Sequence, residues 1–492
     1  MNTKTFFASA ASIALALCMT ASCNTSFNDG YYVNDNGEPM DQDGGNRFDE
    51  IVENPFVKVA DAPASTFSVD ADGASYAYMR RCVRDGFMPL SNAVRTEEFL
   101  NYFTFDYDEP EGGEMLAINA ETGACPWNAE HKLLRLGLKG KSLNNNEIPT
   151  ANYIFLIDVS GSMQGEDRID LVKTGLCTML DYMKPEDRVA IITYSGTVKK
   201  LLESTLVRDK SSIKNAIKKL VASGCTAGGQ AMKMAYEEAV AHYIKGGNNR
   251  IIMCTDGDFN VGVSSNDALI EMVESYLSKG IYLSVMGFGI GNLNDSMMEN
   301  VSNHGNGTYN YIDSEEEMMK VFVNERSRFV AVANDTKCQV TFSPDVVDSY
   351  RLIGYENRLM SSEEFENDGK DAGEIGAGQT VTALYEIVPA ASYSEDTLLA
   401  TFDVKYKVAL GEQSRSLSLG VKVPATDSKS ENITFASGVA AYALVLRESE
   451  YKGSASFEMA ESLVRESLGE DKYDLRKQLL ELIGRAAAFD NN

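Results

Sequence analysis

Between Tyr153 and Val330 the chain alternates uninterrupted apolar runs with stretches of helical period, and no other feature restricts its fold as strongly. Tyr153-Ile154-Phe155-Leu156-Ile157 is apolar at every position, as expected of a strand covered on both faces. "RIDLVKTGLCTMLDYMK" follows, with Ile169, Val172, Leu176, Met179 and Met183 on one helical stripe and Pro185 beyond it as a stop. "RVAIITYSG" reads as the next strand, with "TVKKLLEST" folding back beside it. Further strands are expected in "RIIMCTDG", "IYLSVMGFG" and "GTYNYI". Helices are expected in "DKSSIKNAIKKLV", "GGQAMKMAYEEAVAHYIK", "NDALIEMVESYLSKG", "NDSMMENVSN" and "SEEEMMKVFVNERSRFV". This alternation predicts an α/β fold, a doubly wound and mostly parallel sheet with helices on both faces.

The 492 residues are too many for one core, so flanking units are expected on either side of residues 151–330. Residues 1–22 read as a lipoprotein-type signal peptide. Lys4 supplies the positive start, and residues 6–17 are apolar or small over a length too short to span a bilayer. The segment ends in Thr20-Ala21-Ser22-Cys23, which resembles a bacterial lipobox; in such signals the cysteine, here Cys23, is lipidated and becomes the mature N-terminus. Residues 23–60, rich in Asn, Asp and Gly without periodicity, read as a flexible tether.

Residues 61–150 form an N-terminal flank with helices in "GASYAYMRRCVRDG" and "AVRTEEFLNYF" and a strand in "KLLRLGLKG". After residue 330 the texture changes. Residues 331–430 read as short strands separated by turn residues, and residues 431–492 as helical again. An inserted domain has adjacent entry and exit points, so strands from both flanks are expected to pair in one β-rich, sandwich-like module.

A formal net charge of -27 argues against a nucleic-acid partner, which needs clustered Lys and Arg. Cysteines show no C-x-x-C spacing; Cys82 and Cys125 could pair in an oxidising envelope, and free thiols are the favoured reading. Only His131, His242 and His304 are present, and neither G-x-S-x-G nor H-E-x-x-H occurs. A hydrolytic triad and a zinc protease site both lack their framework. The chain is therefore read as non-enzymatic.

In doubly wound sheets, ligands bind outside the carboxyl ends of the strands. Asp158, Ser160 and Ser162 fall at the end of the first strand and Asp256 at the end of a later one. Thr226 sits in the glycine-rich "SGCTAGG" just before a helix. Carboxylates and hydroxyls thus gather at one edge, an all-oxygen donor set that suits a hard cation such as Mg²⁺.

D-x-S-x-S, a Thr in a glycine-rich loop and a later T-D-G together resemble the von Willebrand factor type A (VWA) domain and its metal-ion-dependent adhesion site. The resemblance implies that Ser160, Ser162 and Thr226 approach the metal, while Asp158 and Asp256 hold its waters and hydroxyl ligands. The cation implied is divalent, Mg²⁺ first, with Mn²⁺ or Ca²⁺ as alternatives. Neutral hydroxyls leave such a cation under-neutralised, so one coordination position is open to the Asp or Glu of a protein ligand.

"FSVDADGASYAYMRRCVRDG", "AVRTEEFLNYF", "YRLIGYENR", "DAGEIGAGQTVTALYEI" and "LGEDKYDLRKQLLELI" extend the resemblance to the flanks of one group of bacterial VWA lipoproteins. The function implied is capture of a protein ligand with an acidic contact residue. The protein would sit in the cell envelope, lipid-anchored to a membrane, most simply the outer membrane on its periplasmic or surface side. The alternative is a structural or assembly factor for an envelope complex, in which the flanking module does the main work.

Overall fold

The computed structural model describes residues 45–224, 229–257 and 266–490. At its centre is a six-stranded sheet in the order Tyr309–Ile312, Tyr282–Phe288, Asn248–Thr255, Ala151–Asp158, Arg188–Tyr194, Val198–Leu206. The first five strands run parallel, and Val198–Leu206 returns antiparallel as a hairpin on Arg188–Tyr194. Strand Ala151–Asp158 is central, and all eight of its residues are buried.

Its alternate side chains enter different cores, which is why the run is apolar throughout. Ile154 and Leu156 pack with Met232, Ala235, Leu269 and Val273 from the helices Gly229–Ala241 and Asn266–Leu277. Phe155 and Ile157 pack with Val172, Leu176 and Met179 of the helix Ile169–Tyr182, and with Ile213. Each such buried side chain contributes about 1.5–3 kcal/mol.

Two antiparallel sheets form the second module. One has the order Val57–Lys58, Val347–Ile353, Thr380–Pro389, Lys132–Gly140, Leu116–Ala124. The other has the order Leu359–Met360, Ala64–Ser68, Ala331–Phe342, Leu398–Lys407, Arg415–Lys422. Strands from both sides of the inserted domain pair as expected. Leu134, Leu136 and Leu138 oppose Tyr385, Ala383 and Val381, and Phe67 opposes Cys338.

Leu134, Leu136 and Leu138 share a core with Cys338, Val340, Phe402 and Val404 of the other sheet. Leu133 and Leu384 point the opposite way, against the helices Glu431–Leu446, Phe457–Glu466 and Leu475–Asp490. The module is thus two sheets and a helical layer. Cys82 and Cys125 are buried free thiols.

One detail departs from the expected pattern. The helix expected over residues 314–330 is helical only at Glu315–Met319; it widens into a π turn at Lys320–Asn324 and closes as a 3₁₀ turn at Arg326–Phe329. The helix Phe457–Glu466, capped by Ser456, lies between the two C-terminal segments expected to be helical, "FASGVAAYALVLRES" and "KYDLRKQLLELIGRAAAF".

The flank helix Ala74–Asp85 bridges the two modules. Its Ala74, Ala77 and Tyr78 join the core of the six-stranded sheet, while Tyr76, Met79 and Val83 join the C-terminal helices. Buried charge fixes the junction. Arg80 donates to Asp313 and Glu317 of the inserted domain and to the Tyr102 hydroxyl of its own flank. Arg95 donates to Asp295, with Glu299 3.3 Å away, and Arg358 reaches Asp70 at 2.9 Å and Glu299 at 3.5 Å.

Close backbone approach also constrains the sheet edge. A Cβ on Gly307 would lie 1.7 Å from the carbonyl oxygen of Leu283, and backbone cannot yield as a side chain does. Gly307→Ala is therefore expected to cost at least the about 1–3 kcal/mol of an ordinary overpacked site. An unchanged thermal midpoint would refute this.

Candidate functional site

Asp158 ends the central strand and is wholly buried. The Ser160 N–H donates to Asp158 Oδ1 at 2.7 Å, turning the chain immediately after the strand. Gly161–Met163 then forms a 3₁₀ turn, anchored by the fully buried Met163 side chain. Anchored so, the turn presents both serine hydroxyls together. Ser160 Oγ and Ser162 Oγ are hydrogen-bonded to each other at 2.9 Å, Ser160 buried and Ser162 exposed.

The neighbouring loops are strapped to this turn by backbone. The Val159 N–H donates to Tyr194 O at 2.9 Å, the Ser223 N–H to Val159 O at 2.7 Å, and the Gly161 N–H to Gly224 O at 2.9 Å. Gly224 has φ +89° and sits where an added Cβ would be 3.5 Å from Ser195 Oγ. The glycine-rich loop therefore enters beside the serines. Thr226 lies outside the described residues, as does Cys23.

Asp256, also buried, follows strand Asn248–Thr255. The Gly257 N–H donates to Thr255 Oγ1 at 3.1 Å, and Gly257 has φ +100°. An added Cβ there would lie 2.4 Å from Asn294 N, so the T-D-G turn requires its glycine.

Tyr194 was not singled out from the sequence. It ends strand Arg188–Tyr194 directly opposite Asp158 and is fully buried. Burial pushes its phenol well above the usual range, and Asp158 and Asp256 push the same way, against an easing hydrogen bond with Thr255. Both carboxylates thus act on one phenol. The cross-strand partner of Asp158 becomes identifiable only when the strand register is known.

The donors fit a small hard cation. At metal–oxygen distances of about 2.0–2.1 Å, adjacent octahedral ligands are separated by about 2.9 Å, the spacing of the two serine hydroxyls. The donor types are hydroxyl and carboxylate oxygen, without sulfur or imidazole. The histidines stand elsewhere and face carboxylates: His131 at 2.6 Å from Glu386, His304 at 2.9 Å from Glu274, and His242 at 3.4 Å from Glu238.

Comparison with known proteins agrees with this architecture. Residues 152–325 match the von Willebrand factor type A domain family. Residues 42–135 match a family described as von Willebrand factor, and residues 327–489 match "Uncharacterized protein YfbK, C-terminal". The uncharacterized protein YfbK of Escherichia coli (strain K12) is 36% identical over 465 residues, covering 89% of this chain and 81% of that protein.

Human inter-alpha-trypsin inhibitor heavy chain H3 is 32% identical over 180 residues, covering 34% of this chain but only 20% of its own length. Among solved structures, a von Willebrand factor type A protein from Catenulispora acidiphila is similar at 14% identity and a TM-score of 0.43. That match covers 76% of this chain and 91% of the other.

Proposed function

The chain belongs to the family of bacterial VWA-domain proteins that includes YfbK, and from that premise we propose that it is a non-enzymatic, envelope-anchored protein that captures a protein ligand through a divalent-cation site. VWA domains serve generally in protein–protein interaction and adhesion. The observation that carries the finer reading is the pair of serine hydroxyls, 2.9 Å apart on a turn held by Asp158.

In this reading Ser160, Ser162 and Thr226 are ligands to Mg²⁺, with Mn²⁺ or Ca²⁺ as substitutes, and Asp158 and Asp256 orient them from behind. The bound cation supplies a positive position that accepts a carboxylate from the ligand. Ser162, the exposed member of the pair, borders the opening where that carboxylate enters. Because the chain carries -27 overall, an acidic ligand is repelled unless the cation offsets the field.

Capture of envelope proteins by the full chain, with Mg²⁺ and then with EDTA, tests the reading. Binding lost in EDTA and in Ser162→Ala supports it; capture indifferent to chelator moves the function to the flanking module. That second reading, a structural or assembly factor, draws on the buried ion pairs that lock the flanks to the VWA domain.

Membrane attachment is proposed through lipidated Cys23, with residues 23–60 as the tether. Cys23→Ser is expected to shift the protein from the membrane to the soluble fraction, since two or three acyl chains give stable anchoring where one alone is marginal. A variant that stays with the membrane overturns the anchor.

A further inference from the structure

The sheet edge that carries the serine turn also carries an exposed shelf on its hairpin side. Asp158, Tyr194 and Val198 lie in one row across three paired strands, which puts Val198 about 10 Å from Asp158. Lys199, the next residue of the hairpin, is exposed. The chain then runs to the far end of the sheet, where the Val207 and Arg208 N–H groups donate to the carbonyls of Asp187 and Pro185. Helix Lys210–Ile217 brings it back, and residues 218–224 arrive beside the serines. Their arrival is fixed by the Ser223 N–H on Val159 O and the Gly161 N–H on Gly224 O.

Val221 is the apolar part of this shelf. It is 68% exposed, although Leu220 before it is buried in the core of the inserted domain. It stands two residues from Ser223, so its Cα lies within about 7 Å of the strapped backbone. The rest is basic. Lys199, Lys218 and Lys219 are exposed, and none has an acid within ion-pair distance among the described residues. Their neighbours Lys200, Lys210 and Lys214 are neutralised by Glu238 and Asp181. On the other side of the serines the sign reverses, with Glu166 exposed and Asp167 and Asp170 beyond it. The site therefore lies between an acidic side, toward the helix Ile169–Tyr182, and a basic side, toward the hairpin.

We propose that this shelf is the docking surface for the ligand's chain beyond its metal-bound carboxylate, and that it takes an acidic protein segment carrying one apolar residue. The inference rests on the cation reading of the serine turn and specifies the partner of that same site. The ligand's apolar side chain covers Val221, which water otherwise wets. Further carboxylates meet Lys199 and the adjacent Lys218 and Lys219, on a chain that otherwise carries -27 and repels acids. An extended ligand advances about 3.4 Å per residue, so an acid three residues from the metal-bound one spans the about 10 Å to the hairpin. Glu166 repels the same carboxylates, and the segment accordingly lies toward the hairpin.

Fluorescence anisotropy on the full chain in MgCl₂ tests this with two fluorescein-labelled peptides, Gly-Asp-Leu-Glu-Glu-Gly-amide and its neutral counterpart Gly-Asp-Leu-Gln-Gln-Gly-amide. Both are expected to bind, the acidic one about 3- to 10-fold tighter, the range for two exposed charge pairs. The preference is expected to shrink in about 0.5 M NaCl, where exposed pairs are screened. Lys199→Gln with Lys219→Gln is expected to abolish it and to leave Mn²⁺ affinity unchanged. Lys245→Gln, exposed before the start of strand Asn248–Thr255 at the far end of the sheet, is expected to keep it. Val221→Ser is expected to weaken both peptides a few-fold through lost apolar contact. Equal binding of the two peptides, lost in EDTA, would leave the cation site standing and remove the shelf. A preference that survives EDTA would overturn the cation reading and the proposal with it. No binding of either peptide, or a preference untouched by the double substitution, would also overturn the proposal.

Discussion

Arg80→Ala is expected to destabilise the chain by about 3–5 kcal/mol, the range for removing one partner of a buried ion pair. Arg80 is 2% exposed and bridges three groups: Asp313 at 2.8 Å, Glu317 at 2.8 Å and the Tyr102 hydroxyl, which itself donates to Glu317. Cutting the arginine back leaves two buried carboxylates. Arg84, 3.7 Å from Asp313, and Lys320, 3.9 Å from Glu317, are too loosely placed to replace it.

Because the helix carrying Arg80 packs on both modules, the loss is expected to lower the denaturant midpoint of the whole chain. Neutralising the carboxylates as well, in Arg80→Met with Asp313→Asn and Glu317→Gln, is expected to recover much of it, since the penalty comes from uncompensated charge. A loss below 1 kcal/mol in urea unfolding of Arg80→Ala would show that water reaches this junction.

The second large effect is expected at the serine turn. Asp158→Ala removes the acceptor that holds the Ser160 N–H, along with a carboxylate placed to orient ligands, and it is expected to weaken Mg²⁺ or Mn²⁺ binding about 10–100-fold. Folding in EDTA is expected to change little. The strand is held by Ile154, Phe155, Leu156 and Ile157, and the lost hydrogen bond is worth only about 1 kcal/mol. Calorimetric titration of both proteins with MnCl₂, alongside thermal melts in EDTA, checks the two halves. Equal metal affinity would remove Asp158 from the site. A collapsed melting temperature would mean that its role is structural.

The elements that were legible in the sequence are those whose pattern is local. Burial on both faces requires apolar residues at every strand position, so 153–157 identified its own place at the sheet centre. A one-sided helix requires a period near 3.6, which Ile169, Val172, Leu176 and Met179 display. Asp158, Ser160 and Ser162 were recognisable because one turn brings them together within five residues. The junction of the flanks followed from chain geometry, since an insertion forces Lys132–Gly140 and the strands after residue 330 to be neighbours.

Groups whose meaning depends on a distant partner were not legible. Tyr194 joins the site only because strand register sets it opposite Asp158. Nothing local marks Arg80 and Asp313, 233 positions apart, as the buried link between two modules. The helix expected over residues 314–330 gives way at Lys320–Asn324 to a π turn, with Lys320 and Glu325 paired across it at 2.9 Å. Glu97 and Glu98 are adjacent and chemically identical. Folding pairs Glu98 with Arg95 and the Ser75 N–H, and closes the Glu97 carboxyl beneath Gly354, where the backbone amides of Tyr355 and Glu97 are its polar neighbours. Apolar periodicity is written residue by residue along the chain, but the balance of a buried charge is set by whichever groups the folded chain brings within a few ångströms of it.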